Sequence, residues 1–417
     1  MEFDIFVLSN GLKVIHREVK ETHLGHCALM VKTGSRDEEE DEAGYAHFIE
    51  HTIFKGTTKR KAFHIMSRLD AVGGELNAYT TKEETAIHAS FLKNYYDRAI
   101  ELIFDLCFNP TFPEKEIAKE REVIMDEIYS YMDNPSEMIF EEFEERLFNG
   151  HSLGKSILGN IASLNNANRN SLMCFYKKHF KPSNMVFASI GNISTKKLKY
   201  FLEKYIDYAP ATIDNTSLMR SFYKPAAPFN FSVKKEVYQA HCIIGSQVIG
   251  LNSDKRRVLV LLNNILGGPA LNSRLNLNIR EKYGYTYNLE SNYSAFSDCG
   301  VFQVYLGTDS DYLNKSIHLV MKELNKLRTQ SLSEIQLKQV KQQLIGQFAL
   351  SRDNLASMML SIGKSLMYFD RVDTLEEVFE QIEQISSSEL LEMANQCFSE
   401  NMLSTYSYLP INGSSKE

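Results

Sequence analysis

The sequence predicts an α+β protein built from two similar domains in tandem, and three observations lead there. The chain has 417 residues, more than one compact core holds and enough for two domains of ordinary size. Strand and helix signals recur in the same order in its two halves. Between the halves, 209–228 carries Pro210, Pro225 and Pro228 among polar residues with little periodic pattern, the composition of a linker. The expected division is therefore 1–208, a linker at 209–228, and 229–417.

In the first half, Asp4–Leu8 and Lys13–Glu18 read as strands hinged at Asn10-Gly11, a strong hairpin signal. Cys27–Lys32 is a third strand, and the acidic run Asp37–Glu42 leads into a helix near Gly44–Phe54. Phe63–Val72 has helical spacing, and Asn77–Phe91 alternates Thr, Tyr and Ile as a strand does. Tyr95–Phe108, Glu114–Met132 and Glu137–Leu147 are amphipathic helices, with Glu114 following Pro113 as helix starts prefer. Ser171–His179 adds a helix and Met185–Gly191 a buried strand. The second half repeats the order: strands Phe231–Val237 and Cys242–Val248, helix Arg256–Leu266, strand Gly300–Gly307, helices Tyr312–Leu327 and Glu334–Ser351. Setting Ala43–Gly56 against Lys255–Gly268 aligns Phe54 with Leu266 and Ile53 with Ile265. At that offset His47, Glu50 and His51 meet Leu259, Leu262 and Asn263, so one half carries a polar cluster where the other carries an apolar face.

Composition narrows the function classes. Hydrophobic residues at 43% and charged residues at 24% are ordinary for a globular protein. A formal net charge of −7, without a basic and aromatic stretch, argues against nucleic acid as a partner. Asp4, Asn10, Lys13, His16 and Arg17 interrupt every apolar stretch near the start, and Glu2 and Asp4 are foreign to a transit peptide. No run approaches eighteen apolar residues, so no membrane span is expected and the cytoplasm is the expected compartment. The six cysteines have no paired spacing and read as reduced core residues.

The chemistry concentrates in His47-Phe48-Ile49-Glu50-His51, an H-x-x-E-H arrangement. Residues four apart share a helix face, so both imidazoles can reach one cation, and imidazole nitrogen suits zinc. Glu50 projects beside the same site, placed to take a proton from a water whose acidity a metal raises. The alternative is two ordinary histidines on an amphipathic helix. A catalytic zinc also needs a third protein ligand, for which the Glu114–Met132 helix is the best source. Glu127 lies there with Glu120 one heptad earlier, suited to hydrogen-bond a ligating histidine, but spacing alone does not choose Glu127 over Glu122 or Asp126.

Further segments carry a resemblance. Gly34-Ser35-Arg36-Asp37-Glu38 precedes the motif and Gly56-Thr57 follows it; Gly73-Gly74-Glu75-Leu76-Asn77-Ala78-Tyr79-Thr80-Thr81 and Glu122-Val123-Ile124-Met125-Asp126-Glu127-Ile128 come next, and Arg280-Glu281-Lys282-Tyr283-Gly284-Tyr285-Thr286-Tyr287 lies in the second half. With these the chain resembles, over nearly its whole length, the pitrilysin/insulinase zinc peptidases (inverzincins), on the branch of mitochondrial processing peptidase and its bacterial relatives.

The resemblance implies one Zn2+ per chain on His47, His51 and Glu127, the last 76 residues beyond the second histidine, with Glu50 as catalytic base and Glu120 behind a ligand. It implies two homologous α/β-sandwich domains forming half of a clamshell: a zinc-binding domain at 1–208, and at 229–417 a second domain without zinc ligands. Peptide substrates would add as a strand along Asn77, Ala78, Tyr79 and Thr80, while Arg280 and Tyr287 of the second domain orient them and steady the oxyanion. Taken on its residues alone, Arg280-Glu281-Lys282 is an ordinary charged helix end and Gly284 an ordinary cap. Because one chain holds both sets of residues, a self-sufficient homodimer is expected, with a heterodimer of related subunits as the alternative. The rival functions are a non-catalytic peptide-binding or scaffold subunit, and a hydrolase or lyase of small metabolites.

Overall fold

The structure, a computed structural model, describes residues 3–209, 220 and 227–411. The linker expected at 209–228 falls outside the described residues except at Ala209, Arg220, Ala227 and Pro228.

The first half of the chain forms β1 (Asp4–Val7), β2 (Lys13–Glu18), β3 (Leu24–Val31), α1 (Tyr45–Ile53), α2 (Ala62–Asp70), β4 (Glu75–Thr80), β5 (Thr85–Leu92), α3 (Tyr96–Phe108), α4 (Glu114–Met132), α5 (Pro135–Leu147), α6 (Ile161–Asn166), α7 (Arg169–His179), β6 (Met185–Gly191) and α8 (Thr195–Lys204). The second half forms β7 (Asn230–Lys235), β8 (Ala240–Ile249), α9 (Arg256–Gly267), β9 (Thr286–Ala295), β10 (Cys299–Thr308), α10 (Leu313–Thr329), α11 (Glu334–Ser351), α12 (Leu355–Phe369), α13 (Leu375–Gln384), α14 (Ser387–Cys397) and β11 (Ser404–Pro410). The segment Asn77–Phe91, expected as one strand, is a hairpin: Thr81 N donates to Glu84 O at 2.8 Å across the turn, and the chain doubles back so that Asn77 faces His88. Both arms alternate in the same way, so periodicity alone could not reveal the break.

The strands make two sheets, ordered β1-β2-β6-β3-β5-β4 and β7-β11-β8-β10-β9. In the first, β2 and β6 are the parallel pair; in the second, β7 and β11 are. Removing β1 makes the two orders equivalent, with β3 matching β8, β5 matching β10, and the edge strand β4 matching β9. The expected duplication of an α+β unit is thus present in the strand connections.

The central strands of both sheets are buried on both faces. Along β3, Cys27, Leu29 and Val31 enter a core shared with α1, α3, α4 and α7, while Ala28 and Met30 enter another on the opposite face. That second face is covered by Met358, Met359, Ile362 and Leu366 of α12, a helix from the other half of the chain. A glycine lets it approach closely: a Cβ on Gly363 would stand 2.5 Å from Met30 Sδ and 2.9 Å from Ala188 Cβ. In the second sheet, Cys242, Ile244, Phe302 and Val304 face α9, α10 and α14. Ile243, Val301, Tyr406 and Tyr408 face Ile139, Phe143 and Leu147 of α5, which comes from the first half.

The two compact units accordingly differ from the contiguous halves drawn from the sequence. The first holds β1–β6 with α12, and the second holds β7–β11 with α5. Phe143→Ala should therefore destabilise the second unit although residue 143 lies in the first half. The expected loss is about 3–5 kcal/mol in denaturant unfolding, with faster hydrogen exchange in β8 and β11 and unchanged exchange in β3 and β6.

Candidate metal centre

Helix α1 buries Tyr45, Ala46, Phe48, Ile49 and Ile53 in the first core and packs beside β4. That leaves His47, Glu50 and His51 on the flank toward α4. The helix begins at Gly44, whose φ of 89° is left-handed and which offers no side chain as a cap. Its first N–H groups are bound instead by Glu38, whose Oε2 accepts from Gly44 N and Oε1 from Ala46 N, each at 2.8 Å. Burial pushes the Glu38 carboxyl up to about 8, with the Ala46 and Gly44 N–H groups opposing that rise.

Helix α4 inserts Ile117 and Ile124 into the same core, and Glu120 and Glu127 repeat at the same seven-residue interval. Glu127 Oε2 is 3.7 Å from His47 Nε2 and 3.7 Å from His51 Nε2. These distances exceed a hydrogen bond. They approach the separation of about 3.4 Å between two ligands sitting about 2.1 Å from a shared tetrahedral ion. Among the described residues this is the one group of His, Cys, Asp and Glu side chains whose donor atoms all lie within 4.8 Å of one another. Two imidazoles and one carboxylate are a donor set that zinc accepts, so the residues fit the metal.

The surroundings hold these donors in a metal-ready form. Burial lowers His47 to about 4, with His51 adding to the effect, so its ring is neutral as a ligand must be. His51 Nδ1 stands 3.3 Å from Glu120 Oε2, and the other oxygen of that buried carboxylate pairs with Lys55 Nζ at 2.8 Å. Glu120 therefore orients one ring and fixes which nitrogen it turns inward. His47 Nδ1 is buried without such a partner, and packing alone sets that ring. Burial raises the Glu50 carboxyl; Thr80 of β4 and the charge on His51 pull it back, and Glu127 pushes it further up.

The sequence-predicted residues divide between the two units. His47, Glu50, His51, Glu120 and Glu127 converge in the first. Asn77, Ala78, Tyr79 and Thr80 lie on its edge strand β4, where Asn77 is exposed and the Tyr79 hydroxyl is 3.3 Å from Glu84 Oε1. Arg280 and Tyr287 lie in the second unit. Arg280 sits in a π-helical turn, Asn276–Glu281, with its guanidinium carbon 5.3 Å from the Tyr287 ring centroid. Tyr287 is 79% exposed, and Gly284 between them has a φ of 64° and closes the turn by donating to Arg280 O at 2.9 Å. Leu259 and Leu262, which align with His47 and Glu50, are core residues of the second unit. The sequence reading assigned no role to Lys55, and quoted Glu38 only as part of the segment before the motif. Lys55 follows the end of α1, in the turn four residues after His51, whereas Glu38 sits in an acidic run.

Comparison with known proteins shows which family the chain belongs to. The family model described as Insulinase (Peptidase family M16) matches residues 13–161, and that described as Peptidase M16 inactive domain matches residues 166–344. The chain is 32% identical over 397 residues to an uncharacterized zinc protease of Rickettsia felis, covering 95% of each chain. It is 29% identical over 396 residues to the uncharacterized zinc protease YmxG of Bacillus subtilis, covering 95% of this chain and 96% of that one. A protease from Helicobacter pylori shares its fold with a TM-score of 0.91 at 21% identity, over 98% of this chain and 100% of the other. A peptidase M16 inactive domain from Pseudomonas fluorescens does so with a TM-score of 0.90 at 19% identity, over 99% of both. The chain belongs to the insulinase family of zinc peptidases, peptidase family M16.

Proposed function

We propose that this chain is a zinc-dependent endopeptidase that cleaves unfolded or short peptides, with Glu50 as the general base. One observation carries the reading: His47, His51 and Glu127 offer donor atoms at cation-sharing distance with Glu50 one residue from a ligand. When bound, zinc would supply Lewis-acid chemistry, acidifying a water and polarising a peptide carbonyl. Glu50 takes the proton of the attacking water and returns it to the leaving amine. Its burial-raised carboxyl suits a group that must both accept and release a proton.

The peptide would pair with β4 along Asn77, Ala78, Tyr79 and Thr80. Among the described residues that strand stands at the edge of its sheet, and main-chain pairing accepts varied sequences. Arg280 and Tyr287 would orient the peptide and steady the oxyanion. Since one chain carries both groups of residues, the proposed assembly is a homodimer.

Three outcomes follow. Glu50→Gln should retain one zinc per chain and lose roughly 10²–10⁴-fold in kcat on a quenched peptide; loss of metal would give Glu50 a structural role instead. Glu127→Gln should weaken zinc retention, and Glu120→Ala should weaken it by about 10–100-fold, both read by chelator competition. Sedimentation should find a dimer, and a monomer with full activity would exclude that assembly. The rival reading, a non-catalytic peptide-binding subunit, predicts peptide binding with no chelator-sensitive cleavage by the wild-type chain.

A further inference from the structure

We infer that Glu38 is a positioning residue for the metal centre: through the first turn of α1 it sets where His47, Glu50 and His51 stand. The inference rests on the peptidase reading above for its consequences in turnover, and on geometry alone for its consequences in metal binding.

A helix leaves its first N–H groups unpaired, and the usual remedy is a Ser, Thr, Asp or Asn at the cap. That remedy is closed here. Position 44 needs a left-handed backbone, and any Cβ there would stand 2.7 Å from Leu158 O and 2.9 Å from Gly159 Cα. The cap therefore comes from six residues upstream, where the two oxygens of one buried carboxyl group span the N–H groups of Gly44 and Ala46. Ala46 is the residue before His47, so the bond that ends at its nitrogen fixes the helical turn that carries the first imidazole.

Glu38 is itself tied down. It follows the 3-10 turn Ser35–Asp37, whose Ser35 and Arg36 N–H groups donate to Thr81 O and Lys82 O at 3.2 and 2.8 Å. Arg36 pairs with Glu83 at 2.7 Å, and Asp37 accepts from Gly34 N at 3.0 Å and from two Arg220 nitrogens at 2.9 Å each. Arg220 also donates to Glu83 O at 2.8 Å. Residues 81–84 are the turn joining β4 to β5. One buried set of ion pairs thus holds the cap of α1 and the end of β4, whose Thr80 neighbours Glu50. Glu38 transmits that register to the helix. Ligand sets tolerate errors of only about 0.5 Å, so a frayed first turn would show in metal affinity before it showed in the fold.

The test compares Glu38→Gln and Glu38→Ala with Leu198→Ala, a cavity variant that lowers stability from α8, a helix packed on α3 and β2. Zinc affinity is measured by chelator competition and ligand geometry by the visible spectrum of the Co2+-loaded protein, at a temperature where circular dichroism shows each variant folded. Both Glu38 variants should bind zinc about 10–100-fold more weakly with an altered Co2+ spectrum, and kcat should fall about tenfold while KM stays within about twofold. Leu198→Ala should match the wild type in all of these despite a lower Tm. Wild-type zinc affinity and Co2+ spectrum in the Glu38 variants would overturn the inference, as would failure of both to fold, which would make Glu38 a folding residue. A wild-type chain that binds zinc but cleaves no peptide would remove the peptidase reading and leave the affinity comparison intact.

Discussion

Two imidazoles and a carboxylate must stand close enough to share one cation, on two different helices, with the His47 ring kept neutral by burial. In the absence of an ion such a cluster is unfavourable. Burial costs the His47 ring its charge, and the Glu127 carboxylate gains no hydrogen bond at 3.7 Å. Nothing within the cluster holds it together, so its geometry has to be imposed from outside. Three supports do this. The core fixes α1 and α4 through Phe48, Ile49, Ile117 and Ile124; Glu120 with Lys55 fixes His51; and Glu38 fixes the entry of α1.

Duplication shows how separable those supports are from the chemistry. Both units build the same strand order, and in each a helix follows the strand that pairs the two arms of the sheet. On α1 one flank is polar and carries the candidate ligands His47 and His51; on α9 the positions matching His47 and Glu50 are Leu259 and Leu262, sunk in the core. The sheet and its flanking helix need only an apolar face, so the other face is free to carry ligands or to be packed over. The reciprocal use of α5 and α12 is a further economy: each sheet has its second face covered by a helix from the opposite half. Burial on both faces explains why β3, β6, β8 and β10 read as near-continuous apolar runs.

The legible parts of the sequence were those where local pattern and final environment coincide. Helix α4 was read at its observed limits, and the H-x-x-E-H helix within a residue, because their periodicity is local. Spacing did not choose Glu127 over Glu122 or Asp126, since all three are acidic residues on a polar face; the resemblance chose, and the structure brings Glu127 to the histidines. The helix α12 and the strands β9 and β11 were not read. Met358, Met359 and Ile362 answer to a sheet more than 150 residues away, a constraint that no local window contains. Glu38 was illegible for a related reason. Within Asp37–Glu42 it looks like one more solvated acid, and only the folded chain turns it inward to meet two N–H groups.

Exposure rises across the ligand set, from 9% for the His47 side chain through 22% for His51 to 46% for Glu127. His47 is therefore the most enclosed of the three donors, and Glu127 on α4 is the most open to solvent. Glu50 stands beside Thr80 at the end of the edge strand. A peptide paired with β4 would have its backbone held beside the base by the same hydrogen bonds that fix its register. Under the proposed function, recognition through the main chain and proton transfer by Glu50 then share one structural origin. Both depend on where β4 ends relative to α1, which is the relation that the buried pairs of Arg36, Asp37, Glu83 and Arg220 maintain.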